Sequence, residues 1–569
     1  VVKFKFLIIF ALLSYSTSEA QAAESPCRQY LSSLFEKTRA PWYQDKKYVI
    51  ETPGYLIPDA IVLDGVADLK SSAVLTEQYF VQFQKPIPSG AKPISLKTYG
   101  YYDQSKAGPR GINPLKAFRG AGRDHLIRDG VGVKGSGVNP EFSTSNGDFK
   151  PLDWRTNGML MLGGKTGGSG LVEYITAKNL EKMGIPVVEH KGLLLLPEEI
   201  GPHLGIAEKL AANSKSKDFN NLSIQIVRDL DAPRESMLQS KSWVGVIPEE
   251  NRMELAGSLY FWDVTHGALN PENLSATGKV IDMGHVGPGY PLTTMGVRRC
   301  TVCNGRDGGT LDQTFVGPLE YLFPKPGKKP LLPTFVFKLS HSQHEQLLFS
   351  MQKKLGPKTK KIELTVTETK ALEKLYQEQF KRMYIANTDT AKMKTRGVLG
   401  NTALQETEML KGQLKTTKTE RYGSGFIAFE NESLIEGNHA FSTKFALSPR
   451  FLMQIEALGI ILGPKVKAQA IQRVFKMVAP GLKNDLKNCF GVFERSFKEA
   501  GFSAEDLKPL FEQYHASFEV TEDVTRTLLD LGKTGSYSDV PQTVRRLIDR
   551  YTEPMQIHPQ NFFEVIMNL

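Results

Sequence analysis

Apolar residues recur along this chain with two different periods, and the change from one to the other divides it. Between about residues 73 and 230, short runs rich in apolar and β-branched residues predominate: Ala73-Val74-Leu75-Thr76 continuing to Phe83, Val131-Gly132-Val133-Lys134, and Leu222 to Val227. Runs of this length and composition predict β-strands. Leu171 to Leu180 instead reads as a helix closing near Gly184 and Pro186, since glycine permits the left-handed turn that ends a helix and proline cannot continue one. A further helical segment covers Asn251 to Asp263. Beyond about Leu332 helical spacing takes over. There Leu507, Leu510, Phe511, Tyr514 and Phe518 make one apolar stripe behind Ser503-Ala504-Glu505-Asp506, a helix-capping pattern. Asn387 to Arg421, rich in Thr and Lys with Gly397 and Gly400, reads as loop. The expected fold class is α+β.

The N-terminus follows another rule. Lys3 and Lys5 precede the apolar run Phe6 to Leu13, and small residues around Ala20-Gln21-Ala22 follow. This pattern predicts a secretory signal peptide cleaved after Ala22, its apolar run being too short for a transmembrane span. The expectation is an exported protein, periplasmic or extracellular, with no stable membrane insertion once the signal is removed. Cys27, Cys300, Cys303 and Cys489 suit an oxidising compartment and allow three pairings. A chain of 569 residues with 40% hydrophobic content can bury more than one core. Its net charge of +10 favours acidic partners. The clearest basic cluster, Lys353, Lys354, Lys358, Lys360 and Lys361, has no interleaved aromatics, so it reads as a solvated face and not as a nucleic-acid surface.

Candidate chemistry concentrates in His266-Gly267-Ala268-Leu269-Asn270-Pro271-Glu272-Asn273 and the acidic turn Ile281-Asp282-Met283-Gly284. An acid, an amide and a second carboxylate in this order suit Mg²⁺ and a phosphate: metal ions neutralise the charge on a transferred phosphoryl or nucleotidyl group, and a carboxylate takes the proton of the attacking hydroxyl. Asn273 and Asp282 supply the hard oxygens that Mg²⁺ prefers. Upstream, Lys134 ends a strand and enters the turn Gly135-Ser136-Gly137, and Glu173 on the following helix is its candidate ion-pair partner. Two look-alikes are set aside. Gly158 to Thr166 approaches a phosphate-binding loop but has its first glycine one position too early, and His341-Ser342-Gln343-His344-Glu345 fits neither zinc-protease order, reading as a polar helix start.

These pieces together resemble the selenoprotein O family of kinase-like protein adenylyltransferases. Its Gly-x-Gly-Arg motif has a counterpart in Gly120-Ala121-Gly122-Arg123, its Lys-Gly-small-Gly strand end in Lys134 to Gly137, and its glutamate helix ending Leu-Gly-Ile-Pro in Glu173 through Met183-Gly184-Ile185-Pro186. The catalytic loop and Ile-Asp-x-Gly turn align from His266 to Gly284 without a gap, and Cys303-Asn304-Gly305-Arg306-Asp307 echoes a later stretch. The resemblance implies a protein-kinase-like two-lobe fold with a mainly helical C-terminal extension, binding ATP in a flipped orientation with Mg²⁺ or Mn²⁺ and transferring AMP to Ser, Thr or Tyr hydroxyls of an acceptor protein. Within it Gly120, Gly122, Arg123, Lys134, Glu173, Arg228, Arg234 and Asp282 would bind the nucleotide, Asn273 and Asp282 the metal, and Glu272 would be the base. His266 reads equally as a structural or a catalytic residue.

The chain also departs from the family pattern. Glu272 stands where the family has aspartate, the segment from Lys134 to Glu173 is longer, and Gly163-Gly164-Lys165 only loosely matches an Asp-Gly-Arg turn. Phosphoryl transfer and a silent pseudokinase that binds a partner are the alternatives. The implied organisation is a signal peptide over 1–22, an extension over 23–60, an N-lobe over 61–242, a C-lobe core over 243–331 and a helical region over 332–569. Where a kinase activation segment would run, Cys303 is the preferred disulfide partner of Cys489; a static staple, a Cys300–Cys303 redox pair or half of a zinc site are the other readings.

Overall fold

A computed structural model describes residues in the stretches 49–102, 118–137, 164–201, 219–234, 247–288, 339–375, 449–512 and 520–552, short gaps inside them excepted, together with 44 and 559–560. Its elements are β1 (Val49–Ile57), β2 (Ile61–Gly65), β3 (Ala73–Thr76), α1 (Glu77–Phe83), β4 (Lys92–Tyr102), β5 (Phe118–Arg128), β6 (Val131–Lys134), α2 (Gly167–Lys182), β7 (Glu189–Leu195), β8 (Ile224–Asp229), α3 (Glu249–Phe261), β9 (Val264–Thr265), β10 (Gly287–Pro288), α4 (His341–Gln352), α5 (Pro449–Ile461), α6 (Pro464–Met477), α7 (Lys483–Ala500), α8 (Ala504–Glu512), α9 (Val520–Thr534) and α10 (Val540–Thr552). They belong to one unit, Lys47–Leu569. The fold is α+β, as the two apolar periods predict.

Eight strands form an antiparallel sheet in the order β2-β7-β8-β6-β5-β4-β1-β3. It begins earlier than the sequence suggests, since β1, inside the stretch read as an extension, is an interior strand between β4 and β3. The central strands β6 and β8 are buried along almost their whole length, because both faces of the sheet are covered. One face carries Val74, Leu96, Val131, Val133, Leu194 and Val227 as a single apolar cluster. Gln225 is buried on that side and joins β3 to it, accepting from the Val74 amide at 2.9 Å. The run expected to continue as strand to Phe83 turns into α1 after Thr76. The Thr76 hydroxyl accepts from the Tyr79 amide at 3.3 Å and Glu77 occupies the first turn, so a side-chain cap and a favourable helix dipole stop the strand there.

Helix α2 lies on the opposite face. It is buried on nearly every side, which a helix tolerates only when layers cover it both below and above. Below lies the sheet. Above lie α9 and α10, whose Val524, Leu528, Val540, Val544, Leu547, Ile548 and Tyr551 share one core with Leu171, Tyr174 and Ile175 of α2 and with Leu193, Leu195, Ile224 and Ile226 of the sheet. Each such side chain contributes about 1.5–3 kcal/mol when fully buried. Arg545 donates to the Val62 carbonyl at 3.0 Å, and Tyr537 donates to the Leu196 carbonyl. The helical C-terminal region therefore folds back over the glutamate helix.

Helix α2 ends as its sequence predicts. Gly184 has φ +69°, its amide donates to the Glu181 carbonyl and the Ile185 amide to the Leu180 carbonyl, both at 2.9 Å, which closes a Schellman motif before Pro186. Lys354 donates to the Gly184 carbonyl at 2.6 Å and to Glu254 at 2.7 Å, tying this end to α3. The basic cluster is thus largely paired: Lys353 also meets Glu254, and Lys358 meets Asp506. At α8 the Ser503 and Asp506 side chains each bond the other's backbone amide, the capping expected there. Ser340 caps α4, so His341 to Glu345 is the polar helix start that was expected.

The disulfide expectation needs correction at Cys489. This residue is a free thiol on α7, fully buried in the helical core with Leu486 and Phe493, and burial pushes its pKa upward. Cys27, Cys300 and Cys303 lie outside the described residues, as do 1–43, His266 and Glu272.

Candidate functional site

Register on the sheet face beneath α2 assembles a set of polar side chains. In antiparallel pairs, residues opposite one another point to the same face. Lys134 on β6 stands opposite Asp124 on β5, Gly132 opposite Arg228 on β8, and Arg228 opposite His190 on β7. Asp124, Lys134, Arg228 and His190 therefore share one face, and all four are buried. Tyr99 on β4 joins them through its hydroxyl, which donates to Asp124 Oδ2 at 2.6 Å. The neighbouring residue His125 faces the other way. Its Nδ1 lies 2.7 Å from Ser136 Oγ, and that hydroxyl donates to the Val133 carbonyl, so the histidine is the donor to serine. Burial lowers the His125 pKa to about 3, leaving it neutral.

Glu173 descends from α2 onto this face. Lys134 Nζ donates to Glu173 Oε1 at 2.6 Å and to Oε2 at 2.8 Å, the ion pair expected from the sequence. A second lysine, Lys165, lies 2.8 Å from Oε2. Arg228 Nη1 stands 3.9 Å and His190 Nε2 4.0 Å from Oε1. Burial alone would raise the Glu173 pKa and Asp282 adds to that, but Lys134 and Lys165, helped by His190, outweigh both and hold it well below the usual carboxylate range. The turn after Lys134 requires its glycines: Gly135 and Gly137 have φ +96° and +99°, and a Cβ on Gly135 would lie 2.7 Å from the Ile224 carbonyl oxygen.

Asp282 reaches the same lysine from a tight backbone turn. Ile281 N donates to the Asn273 carbonyl at 3.0 Å and Ser275 N to the Lys279 carbonyl at 2.8 Å, with Gly278 at φ +87° in the bend. The turn is fixed on two sides. Val188 N donates to the Val280 carbonyl and Val280 N to the Pro186 carbonyl, both at 2.9 Å, while Ala276 N donates to the Pro233 carbonyl at 2.8 Å. Asp282 Oδ1 thereby comes within 3.4 Å of Lys134 Nζ, and Arg228 Nη1 donates to the Ile281 carbonyl at 3.2 Å. Lys134, Glu173 and Asp282, far apart in sequence, converge on one point.

Asn273 is half-buried and stands across this turn from the residue before Asp282, so an amide oxygen and a carboxylate lie on neighbouring strands of backbone. Two hard oxygen donors fit a Mg²⁺ ion that completes its shell with water and substrate phosphates. Among the described residues no group of three or more His, Cys, Asp or Glu side chains is arranged to hold a metal by itself.

Both candidate arginines gather at Asp124. Arg228 is fully buried and ion-paired with it, and Arg234 Nη2 lies 3.8 Å from Asp124 Oδ2. Of the acids beside them in sequence, Asp229 pairs with Lys191, and Asp231 with Lys279 and Thr277. Gly120, Gly122 and Arg123 lie on β5, the strand beside β6. Glu272 and Gly163 lie outside the described residues. Sequence reasoning missed Asp124, Tyr99 and His190, and it placed Lys165 in a discarded phosphate-loop look-alike. Asp124 follows the Gly-x-Gly-Arg motif directly, the one local signal that could have drawn attention to it.

No described helix is long and apolar enough to cross a membrane. No protein-family model matches this chain, and no curated protein matches it either.

Proposed function

We propose that this chain is a kinase-like enzyme that binds ATP with Mg²⁺ or Mn²⁺ and transfers AMP to hydroxyl groups of an acceptor protein. The observation that carries the reading is the convergence of Lys134, Glu173 and Asp282, each reached from a different element. Lys134, oriented by Glu173, would bind phosphate oxygens, and Asp282 with Asn273 would hold the metal. The metal, when bound, supplies positive charge that offsets the phosphates. Glu272 receives the proton of the attacking hydroxyl, and pyrophosphate leaves.

Adenylyl transfer is favoured over phosphoryl transfer by where the cations lie. Arg228 and Arg234 lie beyond Lys134 on the sheet face, both gathered at Asp124, with Arg228 fully buried. That arrangement suits triphosphates directed inward, and guanidinium groups grip phosphate oxygens in pairs. The test is intact-mass spectrometry of the purified protein after incubation with ATP and Mg²⁺ or Mn²⁺, with generic protein acceptors added and Asp282→Ala as control. A gain equal to AMP, absent in the control, supports the proposal. A gain equal to phosphate makes the chain a kinase. ATP binding with no transfer makes it a silent partner-binding protein.

A further inference from the structure

Lys134 presents three N–H donors, and in this structure all three directions are taken: Glu173 Oε1, Glu173 Oε2 and, at the longer 3.4 Å, Asp282 Oδ1. A lysine that must also bind phosphate has to give up part of this set. The loss of the Asp282 contact is covered by the metal that Asp282 would hold. Loss of one Glu173 contact would leave a carboxylate oxygen, on a residue with no solvent exposure, short of a counter-charge, which is unfavourable in a buried site.

Lys165 meets that need. It is buried, its Nζ lies 2.8 Å from Glu173 Oε2, and it stands just before α2, its backbone paired with Ile224 while the Asp282 segment pairs with Pro186, Val188 and Pro233. Its backbone end is fixed by two contacts. The Ile224 amide donates to the Lys165 carbonyl at 3.0 Å, so the lysine is held by strand β8, and its Cβ lies 2.9 Å from where a Gly135 Cβ would stand, packing it against the turn that follows Lys134. One glutamate thus serves two lysines through a shared oxygen, and Oε1 has Arg228 and His190 further off.

We propose that Lys165 is a positioning residue that keeps Glu173 neutralised and oriented while Lys134 turns to the phosphates of a bound nucleotide. The inference rests on the nucleotide-binding reading above and deepens it. Lys165 acts through Glu173 and not by touching substrate, so its removal should weaken ligands that engage Lys134 and spare those that do not.

The experiment measures binding of ATP with Mg²⁺, and of adenosine, to the full chain and to Lys165→Met and Lys165→Arg, with hydrogen exchange of residues 167–182 followed with and without ATP. Lys165→Met is expected to bind ATP about tenfold more weakly, the loss of roughly one charge-assisted hydrogen bond, with adenosine affinity unchanged. Saturating ATP should then loosen 167–182 in this variant and not in the wild type, and Lys165→Arg should restore both properties. If Lys165→Met does not fold, Lys165→Gln, which keeps a donor without the charge, takes its place with the same expectations. Equal ATP affinity in wild type and variant overturns the inference. So does weaker ATP binding with 167–182 fully protected, which would make Lys165 a direct phosphate ligand, and so does equal weakening of ATP and adenosine, which would make its role structural. A wild-type chain that binds no nucleotide sinks the parent reading instead.

Discussion

Replacing Glu173 by glutamine removes one negative charge from between two lysines whose side chains are each 3% exposed. Breaking a buried ion pair by deleting one partner costs about 3–5 kcal/mol, because the remaining charge is left in a poorly solvated site. Asp282, 22% exposed and 3.4 Å from Lys134, takes over part of that burden for one lysine. Lys165 loses the same carboxylate at the same time, so the expected loss at pH 7 is near the upper end, about 5 kcal/mol. The pH dependence carries the sharper signature. The folded Glu173 pKa lies below its ordinary value of 4.5, so its contribution is complete above that pH and is lost as pH falls below it. Glutamine has no such group. His125, whose folded pKa is lowered to about 3 from 6.5, is common to both proteins and makes both lose stability below pH 6.5. Urea unfolding followed by far-ultraviolet circular dichroism from pH 7 to pH 4 should show a wide gap between wild type and Glu173→Gln that starts to narrow only below about pH 4.5. A gap under about 1 kcal/mol at pH 7, the size of an ordinary hydrogen bond, or one that narrows already between pH 6.5 and 5, would refute the buried two-lysine arrangement.

Gly135→Ala should cost about 2 kcal/mol or more by thermal melting, since φ +96° and the Ile224 carbonyl both oppose a Cβ there; an unchanged melt would contradict that geometry. Arg228→Met removes the Asp124 pair and the bond to the Ile281 carbonyl, so hydrogen exchange over 273–283 should quicken along with a loss of about 3–5 kcal/mol, and unaltered exchange would show that the arginine does not brace this turn. Leu528→Asp puts a charge into the core shared by α2 and α9 and should loosen 167–182 in hydrogen exchange, whereas an unaffected α2 would mean that α9 does not support it. Cys489 should resist thiol reagents until the protein is unfolded in denaturant; rapid labelling of the native chain would contradict its burial.

Lys134, Glu173 and Asp282 were legible in the sequence because each sits beside punctuation: a glycine turn after a strand, a helix with a glycine and proline stop, an acidic turn before Gly284. Asp124, Tyr99 and His190 carry no such mark. They reach the site only through strand pairing, and irregularities between Thr98 and Gly100 and between His190 and Gly192 reset which residues face α2. No reading of alternation along one strand reveals those shifts, because they exist between strands. Lys165 was hidden for a different reason, since its glycine-rich neighbourhood suggested a phosphate loop while its partner is a carboxylate on the next helix. The strand before Phe83 was misread because apolar residues continue past Thr76, and a single side-chain cap decides where the backbone changes period. The α+β class was legible; the return of α9 and α10 onto α2 was not, since long-range docking leaves no periodic trace.

Helix α2 leaves the ribosome well before its cover does, for Lys182 at its end donates to the Thr552 carbonyl of α10, 370 residues later in the chain. At roughly 5–20 residues per second, translation keeps the two apart for on the order of 20–70 s. Through that interval Leu171, Tyr174 and Ile175 lack the apolar partners that α9 and α10 supply, keeping only those of the sheet. A chain truncated before α9 would expose the outer face of α2. The outer face of the helix that carries Glu173 is therefore covered only once α9 and α10 have been made.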